Sequence, residues 1–423
     1  SNPQLNAQRA LVRATDENVP QALAGYRPKV TATLSGGYQY TDETSAVGTP
    51  KVFAGTNSPH AVGLTATQTL YNGNQTANKT RAAESQVFGA REGLRLLEQS
   101  VLLAAATIYM DYLRDAAILE VQRSNTKVLE LTLKQTRDRF SAGLVTPTDV
   151  AQSEAQLAAA QSQELAAVST LTTTRANFRR IIGNDPVSLQ PASPVDRYLP
   201  ATVGGAIELA RRENPNVTSA MYGVDVSFLT VKINEGALFP TVSLQAAVSK
   251  VWDPSITTIN QFTAAATAQL NVPVYQGGAE YSLIRQSKET LEQQRLTMEQ
   301  VRDQARADLV TAWGQLVAGK AQVAAAQSQV QASELAYLGT SKEAQVGQRT
   351  VIDILNAQQA LVNARVALVT AQHDRVVASY AVLNAIGRLS PQVLHLSTQT
   401  YDPGVHYQQV RDNWGGVRTP DGH

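Results

Sequence analysis

The sequence Val346-Gly-Gln-Arg-Thr-Val-Ile-Asp-Ile-Leu-Asn356 interrupts a long helix-favouring pattern, and the chain contains a second copy of it. That copy reads Ala142-Gly-Leu-Val-Thr-Pro-Thr-Asp-Val-Ala-Gln152. The offset of 204 residues that aligns the two glycines also aligns Asp149 with Asp353, and Gly183 with Gly387. Residues 71–183 therefore recur as residues 275–387. An internal repeat is considered before domains are counted, and here it predicts one unit used twice.

The two halves differ in length near their starts. Asn2-Pro3 matches Asn214-Pro215 and Pro28 matches Pro240, each at an offset of 212, so the first half carries eight extra residues. Insertions that leave a fold intact lie in exposed loops, which places the extra residues in a loop over 41–59, opposite a shorter 253–261. Residues 201–212 precede the second Asn-Pro and only Ser1 precedes the first, so we expect a trimmed, mature or engineered start.

Composition excludes several classes of function. The formal charge is +1 over 423 residues, which gives no electrostatic reason to expect a nucleic-acid partner. The absence of cysteine excludes disulfides, thiolate metal sites and a thiol nucleophile. The five histidines are scattered without metal-ligand spacing, and no P-loop or dinucleotide motif is present. The sequence therefore predicts no enzyme, no cofactor and no metal site.

Four segments alternate between apolar and small polar residues with a period of two, which indicates strands. They cover residues 30–40, 62–71, 242–249 and 262–274. Strands of about ten residues with one apolar face are typical of membrane barrels, although soluble sandwiches alternate as well. The apolar positions are Val30, Ala32, Leu34, Tyr38, Tyr40, Val62, Leu64, Ala66, Leu70, Val242, Leu244, Ala246, Val248, Phe262, Ala264, Ala266, Ala268, Leu270, Val272 and Val274.

Long helices follow each pair of strands and argue against the sandwich. Residues 74–141 and 279–345 contain no proline, and about 65 helical residues span on the order of 100 Å. Each helix turns at the glycine-containing tip and returns over 147–182 or 351–386. Shorter helices are predicted at 2–24, 201–212 and 216–237. A proline-rich connection covers 184–194, and the polar tail beyond 389 either wraps the outside or is poorly ordered.

Four antiparallel strands leave two open edges, and open edges are not tolerated in lipid because their backbone groups stay unsatisfied. The chain contains no run of eighteen apolar residues, so strands would have to cross the membrane. An oligomer is therefore required. Two copies would give eight strands and a filled barrel, whereas three would give twelve strands and a lumen. The polar inner face suits a lumen, but the residues alone do not decide between these numbers.

Several motifs together resemble the TolC-type outer-membrane efflux channels. The resemblance covers nearly the whole chain and implies a mixed fold: a homotrimer whose twelve-stranded membrane barrel continues into a long periplasmic α-helical barrel. It also implies a passive duct in the Gram-negative outer membrane, for drug efflux or type I protein secretion. The motifs are Ser1-Asn-Pro-Gln-Leu5, Arg139-Phe-Ser-Ala-Gly-Leu-Val145 with Thr148-Asp149, Val272-Pro-Val-Tyr-Gln-Gly-Gly278, Val346-Gly-Gln-Arg-Thr-Val-Ile-Asp353 and Ala385-Ile-Gly387.

The resemblance also implies a division of the chain and a set of partners. Residues 28–72 and 240–276 would form the membrane strands. The periplasmic α-barrel would comprise 2–27, 73–183, 214–239 and 277–388, and the equatorial and connecting region 184–213 and 389–423. Because a channel has no energy source, a periplasmic adaptor and an inner-membrane pump of the RND or ABC type are expected partners, with outer-membrane lipid around the strands.

The aspartates at the two tips have a structural interpretation. Thr146 and Thr350 each precede an acidic residue by three positions, the spacing of a helix N-cap with a capping acid, and Pro147 suits the first helical turn. By resemblance, Asp353 also contributes a charged ring to a pore constriction. The second ring position holds the neutral Asn356, so a weaker cation block is expected than with two acidic rings.

By the same resemblance, Arg349 belongs to a latch that holds the tip shut. Its counterparts fall on Thr148 and Asp149, and Asp138 stands where the family has a glutamine. Ala344 replaces a family tyrosine, so the latch is only partly inherited. An exposed turn cation is the alternative interpretation of Arg349.

Four further residues at the tips are candidates for an adaptor docking surface: Gly143, Leu144, Val346 and Gly347. For the glycines a tight turn is a sufficient explanation. A soluble, secreted filament-forming coiled-coil protein is the alternative function, because long helices rich in alanine, glutamine and threonine also suit filaments.

Overall fold

The computed structural model describes residues 2–45, 51–398, 400–420 and 422. In both halves of the chain, two short helices are followed by strands and then by two long helices, and the first half has an additional pair of strands. In chain order the elements are α1 (Pro3–Asp16), α2 (Asn18–Leu23), β1 (Lys29–Gly36), β2 (Gln39–Ser45), β3 (Lys51–Asn57), β4 (His60–Asn72), α3 (Gln75–Ser141), α4 (Pro147–Ile182), α5 (Val203–Glu213), α6 (Pro215–Gly236), β5 (Thr241–Ser255), β6 (Thr258–Asn271), α7 (Ala279–Gln345), α8 (Val351–Ile386) and α9 (Gly404–Val410).

Four strands form one antiparallel sheet in the order β1-β4-β5-β6. Its register keeps the two predicted faces apart as far as a β-bulge between Thr69 and Tyr71 of β4. One row across the sheet joins Ala32, Leu64, Val248 and Ala264. The next row, on the opposite face, joins Thr33, Gly63, Ser249 and Thr263. The sheet therefore has one apolar and one small-polar side, and β1 and β6 are its open edges.

Two predictions about the first half were wrong. The predicted strand over 30–40 ends at Gly36, and residues 39–45 pair instead with Lys51–Asn57 in a separate hairpin. The expected loop over 41–59 is therefore largely strand, with 46–50 outside the described residues. The Asp253 carboxylate accepts a hydrogen bond from Ser58 N at 2.6 Å, so the end of this extra hairpin is held to the last residues of β5.

The long helices were predicted well because their patterns are long and end in clear signals. Helices α7 and α8 have the predicted bounds, and α3 begins one residue after the expected start. At 1.5 Å per residue, the 67 residues of α3 span about 100 Å. The glycines that follow α4 and α8, Gly183 and Gly387, adopt positive φ values of 96° and 93°, as helix C-caps do.

The chain divides into two compact units. The first contains residues 1–9, 92–218 and 300–401, and its largest apolar cluster joins α5, α7 and α8 through fully buried side chains such as Leu309, Val382 and Ile386. The second contains residues 10–91, 219–299 and 402–423 and includes the sheet. Its cluster of buried residues is Val19, Ala83 and Val87.

Part of the C-terminal tail packs within the second unit. Helix α9 buries His406 and Val410, and His406 Nδ1 lies 3.0 Å from the carboxylate of the fully buried Asp16. This contact joins residues 390 positions apart in sequence, so it could not be seen in any local pattern. Within the described part of the chain, no helix combines the length and the apolar character needed to cross a membrane.

Candidate functional site at the helix tips

The two tips are built from the same backbone turn. After α3, Gly143 adopts a φ of 74°, and Leu144 N donates to Arg139 O at 2.9 Å. After α7, Gly347 adopts a φ of 79°, and Gln348 N donates to Glu343 O at 2.9 Å. These bonds close a Schellman-type C-cap, which favours glycine at the left-handed position. The turn explains both glycines as structural residues.

The space around these two glycines shows whether the backbone angle or close packing requires glycine there. A Cβ atom placed on Gly143 or Gly347 would meet no atom within 4 Å. The backbone angle, and not crowding, therefore requires glycine at these positions. The surface around the glycines is open and is free to contact a partner.

Both returning helices begin with the predicted capping box. Thr146 N donates to Asp149 Oδ2 at 2.9 Å, and Asp149 N donates to Thr146 Oγ1 at 3.3 Å. At the second tip the equivalent Thr350 and Asp353 bonds are 2.9 and 3.4 Å. The two boxes satisfy backbone donors that a helix start leaves free. The structural interpretation of both aspartates is thus confirmed.

The capping box also sets the charge state of Asp353. The Thr350 backbone N–H and then the Thr350 hydroxyl donate to its carboxylate, and these bonds lower the pKa of Asp353 below its ordinary value. Asn356 lies on the same helix and is exposed. Asp353 is therefore held as an anion close to the end of α8, with a neutral amide one turn further along.

Within one chain, Arg349 pairs with a residue of its own tip. Its Nε donates to Glu343 Oε2 at 2.9 Å, and this bond raises the pKa of Arg349. The pair lies within one tip and folds Arg349 back over the last turn of α7. In the described part of the chain Arg349 forms no hydrogen bond with Thr148, Asp149 or Asp138, and the Asp149 carboxylate already accepts a hydrogen bond from Thr146 in its cap.

Sequence reasoning missed Glu343. The sequence could have indicated this pair, because a Schellman turn with Gln348 N bonded to Glu343 O brings the next residue, Arg349, back over Glu343. The first tip has no such pair: the positions equivalent to Glu343 and Arg349 are Arg139 and Val145. Val145 instead packs against a cluster of Leu129, Ala160, Val351 and Leu355 below the tips.

Two large apolar side chains project from the tips. Leu144 is 73% exposed and Val346 is 71% exposed. Neither side chain belongs to a buried apolar cluster of the described residues. Exposed apolar groups at the ends of helical hairpins are suited to contacts with another protein.

No cluster of histidine, aspartate and glutamate suitable for a metal ion occurs among the described residues. The groups at the tips are helix caps, exposed ion pairs and exposed apolar side chains. Such groups are suited to binding a partner or a mobile cation.

Comparisons with known proteins agree with this architecture. The family model for "Outer membrane efflux protein" matches residues 1–184 and 206–388, which are the two halves of the repeat. The outer membrane efflux protein BepC of Brucella suis is 39% identical over all of this chain and 90% of that protein. The alkaline protease secretion protein AprF of Pseudomonas aeruginosa is 24% identical over 79% of this chain and 71% of that protein.

A solved structure shows the same fold. The outer membrane protein VceC of Vibrio cholerae superposes with a TM-score of 0.79 and 18% identity, over 92% of this chain and 93% of that one. The relatives are transport conduits, which gives no support to the alternative of a secreted filament. The chain belongs to the outer membrane efflux protein family, as an efflux or secretion duct of the outer membrane that extends into the periplasm.

Proposed function

We propose that three copies of the chain close a twelve-stranded barrel and form a passive exit duct. The observation that carries the proposal is the four-stranded sheet with two open edges, β1 and β6, and two chemically distinct faces. Pairing β6 of one copy with β1 of the next removes both open edges of this four-stranded sheet when the ring closes. Twelve strands leave a lumen, and the threonine, serine and glutamine face would line it.

The same threefold arrangement would continue in the helices. Helix α4 leaves most of its surface uncovered within one chain, including Leu165 at 70% exposure, and α7 leaves Leu335 at 74%. Apolar positions of this kind on long helices are suited to packing against further helices. We assign these faces to contacts between neighbouring copies, which would close a periplasmic α-helical barrel.

The tips would form the gate of the duct. Around a threefold axis, Asp353 would supply a ring of three negative charges, and Asn356 a neutral ring beside it. Arg349 would act as a latch towards Thr148, Asp149 or Asp138 of a neighbouring hairpin. Its present partner Glu343 is exposed, and exposed ion pairs exchange at little cost. An iris-like opening of the tip would follow when these contacts are exchanged.

The docking surface would recruit the rest of the export machinery. Gly143, Leu144, Val346 and Gly347 together present two open turns and two exposed apolar side chains. We assign them to a periplasmic adaptor that links the duct to an inner-membrane pump of the RND or ABC type. The cargo would be drugs and other toxic compounds or, as the name of AprF suggests for that relative, a secreted polypeptide.

Two measurements test the duct. Mass analysis of the detergent-purified protein is expected to give three copies, and planar bilayers are expected to show discrete conductance steps. A monomer that stays soluble without detergent, or a complex without conductance, would refute the proposal.

The docking surface needs a test that leaves the duct intact. Leu144→Glu combined with Val346→Glu is expected to abolish export while trimers persist, because both side chains lie outside the packed core. Val187→Glu is the matched control, since Val187 is 77% exposed in the connection between the halves and is expected to have no effect. Loss of trimers in the tip variant would return these residues to a structural role.

A further inference from the structure

We infer that the C-terminal segment 411–418 is a lipid-contacting anchor that places Trp414 in the interfacial region of the phospholipid bilayer. The inference rests on the proposed membrane barrel and adds to it a contact from outside the strands. The tail beyond 389 was predicted either to wrap the outside or to be poorly ordered, and in the structure this segment is packed on the protein.

The segment is held at its beginning by α9. His406 Nδ1 lies 3.0 Å from Asp16 Oδ2, and Val410 is buried. Tyr407 Oη donates to Glu84 Oε1 at 3.4 Å, and Arg411 Nη2 lies 3.6 Å from the same oxygen. A buried carboxylate with a histidine partner is a specific contact, because an unpaired buried charge would be costly. The start of the segment is therefore fixed on the protein.

The segment is held a second time next to the sheet. Arg27 Nη1 donates to Asn413 O at 2.6 Å, and the Arg27 guanidinium carbon lies 4.6 Å from the centroid of the Trp414 ring. This stacked arrangement is a cation–π contact. Arg27 lies two residues before Lys29, the first residue of β1. Trp414 is thus placed at the point where the chain enters the sheet.

The pairing of β1 with β4 shows how far along the strands Arg27 and Trp414 lie. Lys29 pairs with Thr67, and Gln68 Nε2 donates to Tyr26 O at 2.9 Å. Strand β4 continues for four more residues beyond Gln68, to Asn72. Residues 26 and 27 therefore lie level with the last rungs of the sheet. In a membrane barrel this is the level at which the strands leave the hydrocarbon.

The exposed groups of the segment suit that level. Trp414 is 73% exposed and Val417 is 99% exposed. A turn closed by Gly415 N donating to Asn413 Oδ1, with Gly416 at a φ of 110°, lies between these two side chains. Tyr26, at 52% exposure, lies next to Arg27 in the chain. Tryptophan and tyrosine are enriched where a bilayer meets water, because their rings are amphipathic.

Charge favours the same occupant. Arg27 stacks on the Trp414 ring, and Arg418 is exposed four residues after the tryptophan. Arg411, three residues before it, is paired with Glu84. Basic side chains close to a membrane surface attract anionic phospholipid headgroups. The segment 411–418 thus combines two exposed apolar side chains with two arginines and one aspartate, a net positive charge, which is the chemistry of a lipid interface.

The three tryptophans of the chain allow a direct test. Trp252 lies on the apolar face of the sheet, in the row of Gly36 and His60. Trp313 packs against the apolar cluster of the first unit. Three variants, each keeping one tryptophan and carrying phenylalanine at the other two positions, are purified as full complexes. They are reconstituted into phosphatidylglycerol-containing vesicles whose acyl chains carry bromine at a shallow or a deep position.

Trp414 emission is expected to shift to the blue and to be quenched more by the shallow than by the deep bromine, while Trp313 is unaffected. Trp252 reports independently on the barrel. Quenching of Trp252 without quenching of Trp414 would refute the anchor and leave the duct standing. Absence of quenching at Trp252 would refute the membrane barrel itself. Quenching of Trp414 by aqueous iodide alone would place it in the duct or the periplasm. A blue-shifted Trp414 that neither lipid bromine nor iodide quenches would place it under a second copy. Either result overturns the anchor.

Discussion

Helices α4 and α8 are the returning arms of the two hairpins, and all their residues are described. Each has 36 residues, a threonine–aspartate capping box and a glycine after its last residue. Their surroundings differ, because α4 buries four side chains and α8 buries fourteen. The repeat therefore preserves how a hairpin begins, turns and ends, while the arms have diverged in what covers them.

This difference assigns separate tasks to the two halves. An arm buried within its own chain, such as α8, holds the protomer together. An arm left largely uncovered, such as α4, is available for a neighbouring copy. Residues at equivalent positions can then be compared directly, because the repeat supplies a matched control for each substitution.

The largest difference is expected for a pair of isoleucines. Ile386 ends α8 and is fully buried against the cluster of α5 and α7, whereas its equivalent Ile182 is 39% exposed. Removing a buried isoleucine side chain costs about 2–5 kcal/mol, and an exposed one much less. Ile386→Ala is expected to lower the thermal unfolding temperature clearly more than Ile182→Ala, measured at one fixed scan rate in detergent. Equal shifts would mean that neighbouring copies bury Ile182 as deeply as the protomer buries Ile386.

The glycine that follows each isoleucine gives the next largest effect. Both glycines have positive φ, so alanine is strained at either position. A Cβ on Gly387 would also lie 2.5 Å from Glu213 O and 2.7 Å from Asn214 Cα, while a Cβ on Gly183 would meet nothing within 4 Å. Crowding of this kind adds about 1–3 kcal/mol.

Gly387→Ala is therefore expected to destabilise the protein more than Gly183→Ala in the same thermal measurement. The crowding acts on Glu213, and the next residue, Arg388, binds the Glu213 carboxylate through Nε and Nη2, both at 2.6 Å. A shift of Glu213 would therefore also disturb this ion pair. If Gly183→Ala were the more damaging change, a contact with another copy would have to lie over the end of α4.

The aspartates of the two tips can be compared by substitutions that change their charge and are expected to leave the turns folded. Asp353→Asn keeps an amide oxygen that can accept the Thr350 bond, so the turn is expected to survive. Block of single-channel current by hexamminecobalt(III) is expected to weaken in Asp353→Asn and to persist in Asp149→Asn, and Asn356→Asp is expected to strengthen it. Unchanged block in Asp353→Asn would defeat the ring assignment.

The pH dependence of this block follows from the same bonds. The Thr350 N–H and hydroxyl lower the pKa of Asp353, so the carboxylate stays charged below the ordinary aspartate value of about 3.9. Its capping contribution is present above that value and is lost as the pH falls through the lowered pKa. Block is therefore expected to stay constant between about pH 7 and pH 5. A decline within this window would implicate a different group.

The sequence predicted the parts of the fold that are written locally. The capping boxes at Thr146 and Thr350, the proline-free helices and the two faces of the sheet each depend on residues close together in the chain. The break after Gly36 was missed because the alternation runs on through Tyr38 and Tyr40, and only pairing with β3 shows that a second hairpin has begun. The alternation gives the period but not the partner.

Contacts between distant residues explain the other misses. The position of α9 depends on His406 and Asp16, and the burial of Ile386 depends on α5 and α7. Ile182 and Ile386 are the same residue at equivalent positions, so no local pattern could distinguish their burial. The candidate site shows the same limit, because the tip turn was predicted from its glycines but the Glu343 partner of Arg349 was not.

The smallest expected effect concerns that ion pair, which only the second tip has. Glu343 and Arg349 are 47% and 53% exposed, so breaking their contact is expected to leave trimers and their thermal stability unchanged. Conductance distinguishes the two roles of Arg349. If Arg349 latches a neighbouring hairpin, Arg349→Ala is expected to raise conductance. Glu343→Gln frees Arg349 for that neighbour and is therefore not expected to raise conductance. Equal increases in both variants would assign the latch to the pair within one chain, and no increase in Arg349→Ala would remove the latch altogether.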